Sequence, residues 1–217
     1  MMITWRVCSH LDSITYNMDN LLKIFLLTYF AFFFGLAFIL PTYRVWKATG
    51  VNPYKLGTSD SAHDYIGRNF RLTMLACALV VILFAFLPDV YQFLLPIYYL
   101  MNNTLAVIGQ VLLFCALIWV LTAQVYMQKS WRIGIDEDVK TELVQTGLFK
   151  LSRNPIFLGM RVMLLGFFFI LPNAITLSIL ISGELLIQTQ VRLEEEFLAR
   201  THGGSYLAYQ KQVRRWI

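Results

Sequence analysis

The chain has 217 residues, of which 58% are hydrophobic and 14% are charged. Soluble domains contain about 25% charged residues, so the composition excludes an ordinary soluble domain and favours a helical membrane protein. The net charge of +5 does not predict nucleic-acid binding, because the basic residues are spread over three polar segments instead of lining one face.

Three apolar stretches in the first 127 residues predict membrane-spanning helices. Residues 24–40 form the first, and we expect Pro41 to end it, because a proline removes a backbone donor and interrupts a helix. The second covers residues 72–87, and the third covers residues 105–127. Between the first two, residues 42–71 are polar and contain three glycines, so we expect a loop there.

The cysteines and histidines do not have the spacing of a metal site. His63 and Asp64 are adjacent, but no second group of ligands lies near them in the sequence. Cys77 and Cys115 lie inside apolar runs, where a cysteine is usually a small buried hydrophobic residue. We therefore expect no metal and no disulfide framework.

Residues 147–196 predict a helical hairpin. Pro155 suits the first turn of one helix, where its missing N–H costs nothing, and a second helix is expected after a turn. In an antiparallel hairpin centred just after Pro172, paired positions have numbers that sum to 345. The turn formed by residues 153–155 is therefore expected to meet the acidic run at residues 194–196.

The same arithmetic pairs Arg161 with Glu184, each about 17 Å from the turn at a rise of roughly 1.5 Å per residue. Both lie in apolar sequence, where a lone charge costs several kcal/mol and usually finds a partner or a cavity. Two interpretations remain open. The residues form a structural ion pair that locks the hairpin, or they form a polar floor under a substrate cavity.

The distribution of basic residues predicts the orientation of the chain. Segments 42–71, 128–155 and 192–217 contain five Lys or Arg each, whereas residues 88–104 contain none. Because cytoplasmic segments carry the excess of Lys and Arg, five spans with the N-terminus outside and the C-terminus in the cytoplasm fit every segment. The apolar residues 91–101 are too few to cross, so we expect them at the outer surface or in a re-entrant piece.

Three motifs carry a resemblance to a known family: LVQTGLFKLSRNPIFLG, RLEEEFL and GGSYLAYQKQV. Their order and separation, over residues 141–213, resemble the isoprenylcysteine carboxyl methyltransferase family and its phospholipid methyltransferase relatives. The resemblance implies a multi-pass membrane enzyme with S-adenosylmethionine as cofactor and a lipid-like or prenylated acceptor. The implied reaction is most like isoprenylcysteine carboxyl O-methylation. Alternatives are a phospholipid or small-molecule N- or S-methyltransferase, and a non-catalytic membrane protein of the same fold.

The resemblance also implies a site. Glu194 takes the place of the family's cofactor-binding glutamate, and Gln190 stands where isoprenylcysteine members have a substrate-binding arginine. Phe149, Asn154 and Phe157 replace a tyrosine, a histidine and a tyrosine, which keeps packing but changes hydrogen bonding. The remaining cofactor-binding candidates are Leu143, Val144, Arg153, Pro155 and Ile156. The catalytic candidates are Gln190, Arg192 and Glu195, with Glu195 as the base if the acceptor is an amine.

The acidic run and the C-terminal residues complete this expected site. Three carboxylates at the C-terminal end of a helix oppose its dipole, so a cation such as the sulfonium and ammonium of the cofactor is expected nearby. After two glycines, Ser205 is expected to cap a last helix that continues to the C-terminus. That helix is either an interfacial anchor or a lid over the cofactor.

We therefore expect the whole chain, residues 1–217, to form a single all-α membrane domain of five spans. Residues 1–127 contribute three spans, and residues 128–217 contribute the cofactor loop, the hairpin and the last helix. A cytoplasmic cofactor cup is expected from residues 129–155 and 192–217. The expected setting is a bacterial plasma membrane or the endoplasmic reticulum, and no oligomeric state is predicted.

Overall fold

The computed structural model describes residues 20–50, 62–127 and 142–217. In this part of the chain the structure is helical, without a strand, and the all-α prediction is confirmed. The α-helices of these residues are α1 (Asn20–Thr49), α2 (Ala62–Phe86), α3 (Pro88–Tyr91), α4 (Asn103–Met127), α5 (Pro155–Ile170), α6 (Ala174–His202) and α7 (Gly204–Gln212).

Four of these helices, α1, α2, α4 and α6, are long and apolar enough to cross a membrane. Helix α5 has 16 residues, which correspond to about 24 Å of helix, whereas the hydrocarbon core of a bilayer is about 30 Å thick. The predicted membrane helical bundle is confirmed, and the fourth of the five expected spans corresponds to this shorter helix. It packs most extensively against α4.

Glycines allow α5 to approach α4 closely. A Cβ atom at Gly166 would lie 2.9 Å from the carbonyl oxygen of Gly109. Small residues permit such an approach in a membrane, where close packing holds helices together. At the other end of α5, the indole Nε1 of Trp119 donates a hydrogen bond to the carbonyl of Pro155 at 2.8 Å. Helix α4 therefore fixes the position of the first turn of α5.

The predicted hairpin is confirmed, with α5 beginning at Pro155 and α6 beginning after Asn173. Asn173 caps α6, because its Oδ1 accepts a hydrogen bond from the Thr176 N–H at 2.9 Å. In return, the Asn173 N–H donates to the Thr176 hydroxyl at 3.1 Å. In the sequence, Pro155 predicted the start of α5 and the turn at residues 171–173 predicted the start of α6. The reciprocal capping box is the contact that fixes the second start in the structure.

The apolar segment at residues 91–101, expected at the outer surface or in a re-entrant piece, packs against the turn of the hairpin. It contains two short 3₁₀ turns, Gln92–Leu94 and Tyr98–Leu100. Between them, the Ile97 N–H donates to the carbonyl of Pro172 at 2.8 Å. The segment therefore closes the end of the hairpin opposite the turn at residues 153–155.

Helix α1 continues through Pro41 to Thr49, so the expected end at Pro41 is wrong. A π-helical turn, Gly35–Ile39, precedes the proline. Because proline has no N–H, the carbonyl of Ala37 loses its regular helical donor. The side-chain Nε2 of Gln124, on α4, donates to this carbonyl at 2.6 Å. A neighbouring helix thus supplies the missing hydrogen bond, and α1 remains continuous.

Helix α2 begins at Ala62, ten residues before the expected start at residue 72, so the expected loop is wrong over residues 62–71. Ile66 and Gly67 are buried against the bundle, whereas Arg71 is exposed. The first turns of α2 are therefore amphipathic, and their polar side concealed the helix from a search for apolar runs.

We predict that replacing Gln124 by methionine destabilises the protein by about 1–3 kcal/mol, because the buried Ala37 carbonyl loses its donor. In a Pro41→Ala background the new N–H of residue 41 can donate to the Ala37 carbonyl. Gln124→Met should therefore reduce the free energy of unfolding by a smaller amount in that background. Unfolding of the purified protein in detergent, followed by circular dichroism, measures both costs. Gln110→Met on the same helix is the control, and equal costs in the two backgrounds would contradict the interpretation.

Candidate active site

One cavity of about 610 Å³ lies where α1, α2, α4, α5 and α6 meet. This volume is within the range of about 300–1,000 Å³ that small-molecule sites have. Two sides of the cavity differ in chemistry. We call them the hairpin wall and the α1–α2 wall. The hairpin wall is formed by Gln190, Glu194 and the lining residues between positions 149 and 160, which are Phe149, Arg153, Asn154, Pro155, Ile156, Phe157 and Met160. The α1–α2 wall is formed by the lining residues of helices α1 and α2.

The hairpin wall contributes most of the polar groups of the cavity. Arg153, Asn154, Gln190 and Glu194 all line it. The Nε2 of Gln190 donates a hydrogen bond to Glu194 Oε1 at 2.8 Å, and Gln190 is buried. A carboxylate that faces a cavity with one neutral partner is suited to a cationic ligand.

The α1–α2 wall is predominantly apolar and rich in aromatic side chains. It includes Phe33, Phe34, Phe38, Phe70, Met74 and Leu75. Leu75 lines the cavity and is also 65% exposed on the outside of the bundle, so the cavity reaches the surface beside α2. In a membrane this surface contacts lipid, which makes the wall suitable for an aliphatic group.

A buried carboxylate holds the base of the hairpin wall together. Glu195, whose side chain is 5% exposed, accepts hydrogen bonds from Arg153 Nη2 at 3.0 Å, Asn154 Nδ2 at 2.9 Å and Arg215 Nη2 at 2.9 Å. The predicted meeting of the turn at residues 153–155 with the acidic run is therefore confirmed. The member of the run that makes these contacts is Glu195.

Residues 213–217 form a non-helical segment, the C-terminal strap, which crosses the turn at residues 152–154. The last helix was expected to continue to the C-terminus, and this prediction is wrong after Gln212. The Arg153 N–H donates to the carbonyl of Arg214 at 3.0 Å, and the Ser152 hydroxyl donates to the carbonyl of Arg215 at 3.0 Å. These bonds direct the backbone away from a helical path. Hydrogen bonding to Glu195 raises the pKa of Arg215, so its guanidinium remains charged.

Helix α7 begins without the expected serine cap. Its N-cap is Gly203, with a φ angle of 54°, and the hydroxyl of Ser205 donates to the carbonyl of His202 at 2.8 Å. Tyr206 and Tyr209 are buried, and the Tyr209 hydroxyl donates to the carbonyl of Phe149 at 2.6 Å. Burial raises the pKa of Tyr206 to about 12, so the phenol beside Glu195 stays neutral.

Arg161 and Glu184 form the predicted ion pair, with Nε and Oε2 2.7 Å apart. The guanidinium also lies over the ring of Trp216, 4.5 Å from its centroid. Neither member of the pair lines the cavity. This geometry favours the structural interpretation, in which the pair joins α5, α6 and the strap, over a polar floor for a substrate.

Eight of the twelve candidate site residues line the cavity: Phe149, Arg153, Asn154, Pro155, Ile156, Phe157, Gln190 and Glu194. Leu143, Val144, Arg192 and Glu195 do not line it. Arg192 is exposed and donates to the side chain of Gln188 at 2.8 Å, one turn earlier on α6. The expected cofactor cup also includes residues 129–141, which lie outside the described part of the chain.

The α1–α2 wall and Gln124 were not predicted from the sequence. The glutamine is a polar residue inside an apolar span, which is a signal for function or for a specific hydrogen bond. Arg71 was assigned to a loop, although it lines the cavity from α2. The phenylalanines of α1 carry no signal of their own, because aromatic residues are common in any membrane span.

Residues 104–205, from α4 into the start of α7, match the family model described as phospholipid methyltransferase. The chain contains a phospholipid methyltransferase domain. The family is that of isoprenylcysteine and phospholipid methyltransferases, so the resemblance in the sequence motifs is confirmed. This family indicates a membrane methyltransferase for lipid-like substrates, and the long apolar helices support an integral membrane protein. The phospholipid methyltransferase match includes every lining residue of the hairpin wall, whereas α1 and α2 lie before it. A comparison with curated proteins finds no match.

We predict that Glu195→Gln destabilises the protein by about 3–5 kcal/mol, because Arg153 and Arg215 lose the carboxylate that they share. Chemical unfolding of the purified protein measures the change. Glu196→Gln is the matched control, since Glu196 is the exposed neighbour, and its cost should stay within about 0.5 kcal/mol. Equal stability of the two variants would rule out Glu195 as the centre of this contact.

Proposed function

We propose that the protein transfers a methyl group from S-adenosylmethionine to a lipid-like acceptor, in a reaction most like O-methylation of an isoprenylcysteine carboxylate. The observation that carries the proposal is that one cavity has both a polar hairpin wall and an apolar α1–α2 wall. Such a cavity accommodates a charged cofactor and an aliphatic acceptor side by side. The family match supports the methyl-transfer chemistry.

In this proposal the hairpin wall holds the cofactor. Glu194 faces the cavity with Gln190 as its neutral partner and attracts the ammonium and sulfonium charges. The first turn of α5 presents the N–H groups of Ile156 and Phe157, which have no helical acceptor and suit a carboxylate. The rings of Phe149 and Phe157 supply apolar surface for a heterocycle. The residues present therefore fit S-adenosylmethionine.

When bound, the cofactor supplies a methyl carbon that its sulfonium has already activated for in-line displacement. A carboxylate oxygen forms the new O–CH₃ bond as the S–CH₃ bond breaks, which leaves a methyl ester and S-adenosylhomocysteine without proton transfer. The chain therefore needs only to align the two partners and to exclude water. Glu195, the base expected for an amine, is occupied by Arg153 and Arg215, which favours an acceptor that needs no base.

A second candidate is N-methylation of a phospholipid amine, and the description of the matched family favours it. An amine must lose a proton, so this reaction needs a base close to the acceptor. Among the described residues, the acidic side chain that lines the cavity is Glu194. Under this alternative Glu194 serves the acceptor as well as the cofactor.

We propose the orientation in which the N-terminus is outside and the C-terminus is cytoplasmic, in a bacterial plasma membrane or the endoplasmic reticulum. The strap and the turn at residues 153–155 contribute Arg153, Arg214 and Arg215 to one end of the hairpin. The segment at residues 88–104, which packs at the opposite end, has no Lys or Arg. By the positive-inside rule, this distribution supports a cytoplasmic position for the hairpin wall.

We predict that Glu194→Gln weakens binding of S-adenosylhomocysteine by about 1.5–3 kcal/mol, the scale of a charge-assisted hydrogen bond. Isothermal titration of the purified protein measures the dissociation constant. Glu196→Gln, which changes an exposed carboxylate two residues away, should leave the constant unchanged. An unchanged affinity in the Glu194 variant would remove this residue from the site, and no binding by the natural protein would reject the cofactor.

A further inference from the structure

A second arginine lines the cavity and has no partner in the described part of the chain. Arg153 is bound to Glu195 and to the carbonyls of Gln210 and Val213. Arg71, on α2, also lines the cavity, but its guanidinium makes no hydrogen bond or ion pair with any described residue. The charge of Arg153 is therefore compensated by the protein, whereas the charge of Arg71 is available to a ligand.

The neighbours of Arg71 locate it at the junction of the two walls. The ring of the preceding residue, Phe70, packs 6.4 Å from the ring of Phe157 in the first turn of α5. One turn further along α2, Met74 and Leu75 continue the apolar α1–α2 wall. A guanidinium at this point has polar groups on one side and aliphatic surface on the other.

The lining residues of α2 have helical spacing, with Gly67, Phe70, Arg71, Met74, Leu75 and Ala78 on one face. From Arg71 to Ala78 this face extends for about 10 Å. It therefore suits a ligand that carries an anionic group followed by an aliphatic chain. Exposure of Arg71 and Leu75 at the surface of the bundle provides access from the lipid side.

We propose that Arg71 binds the anionic group of the acceptor, a carboxylate or a phosphate, and that the aliphatic chain lies along Met74, Leu75 and Ala78. This inference rests on the proposed function, because it assigns the acceptor end of the same cavity. Arg71 is then a specificity residue that selects anionic amphiphiles. The cofactor's own carboxylate is the other anion that could reach the cavity, and the first turn of α5 already offers it N–H donors.

The test compares binding of laurate, dodecyl phosphate and the neutral dodecanol to the purified protein in maltoside micelles. We expect the natural protein to bind either anion more tightly than dodecanol. Arg71→Gln should reduce that preference by about tenfold to a hundredfold, and Arg71→Lys should retain part of it. Titration with S-adenosylhomocysteine should give the same dissociation constant in all three proteins. Arg44→Gln, an exposed charge change on α1 that does not line the cavity, is the control.

Three results would overturn the inference. The natural protein could bind the anions no better than dodecanol, or Arg44→Gln could have the same effect as Arg71→Gln. Alternatively, Arg71→Gln could lose affinity for S-adenosylhomocysteine while it keeps the preference for anions, which would assign Arg71 to the cofactor. Failure of the proposed function is distinct, because it shows as absence of S-adenosylhomocysteine binding in the natural protein. Gel filtration and circular dichroism confirm that each variant is folded.

Discussion

The carboxylate of Glu195 is the contact on which the rest of the site depends. It joins three parts of the chain that are distant in sequence: the turn at residues 153–155, the end of α6 and the C-terminal strap. Without a shared carboxylate, Arg153 and Arg215 would repel each other in a largely buried position. Because the contact fixes Asn154 and the start of α5, it also fixes the hairpin wall of the cavity.

Neighbouring glutamates on α6 have different surroundings and therefore different roles. Glu195 is buried among two arginines and an amide, so its charge is compensated by the protein. Glu194 faces the cavity and has Gln190 as its partner, so a cationic ligand is its natural complement. The expectation that Glu195 acts as a base does not fit its partners, whereas the expectation for Glu194 agrees with its position and stays a prediction.

Local signals in the sequence predicted the hairpin. The features that were not predicted depend on contacts between residues that are distant in the sequence. Pro155 and the turn at residues 171–173 predicted the two helix starts, and the antiparallel pairing rule then paired Arg161 with Glu184. By contrast, the continuation of α1 through Pro41 depends on Gln124, which is 87 residues from the carbonyl it binds. The strap likewise depends on Arg153, and no pattern within residues 213–217 indicates that partner.

The family match covers the hairpin wall of the cavity and does not cover the α1–α2 wall. The hairpin wall lies within residues 104–205, whereas the α1–α2 wall precedes them. We expect the covered part to hold the cofactor and the other part to determine which acceptor is methylated. This division is consistent with sequence motifs that suggested the cofactor and only the class of the acceptor.

The division of the cavity between cofactor and acceptor can be tested by a structure of the protein with bound S-adenosylhomocysteine. We expect the amino group of the ligand to contact Glu194, its carboxylate to lie at the first turn of α5, and its sulfur to face the α1–α2 wall. Density for the ligand outside the cavity would rule out this assignment. Density within the cavity but away from Glu194, with the sulfur turned from α1 and α2, would also rule it out.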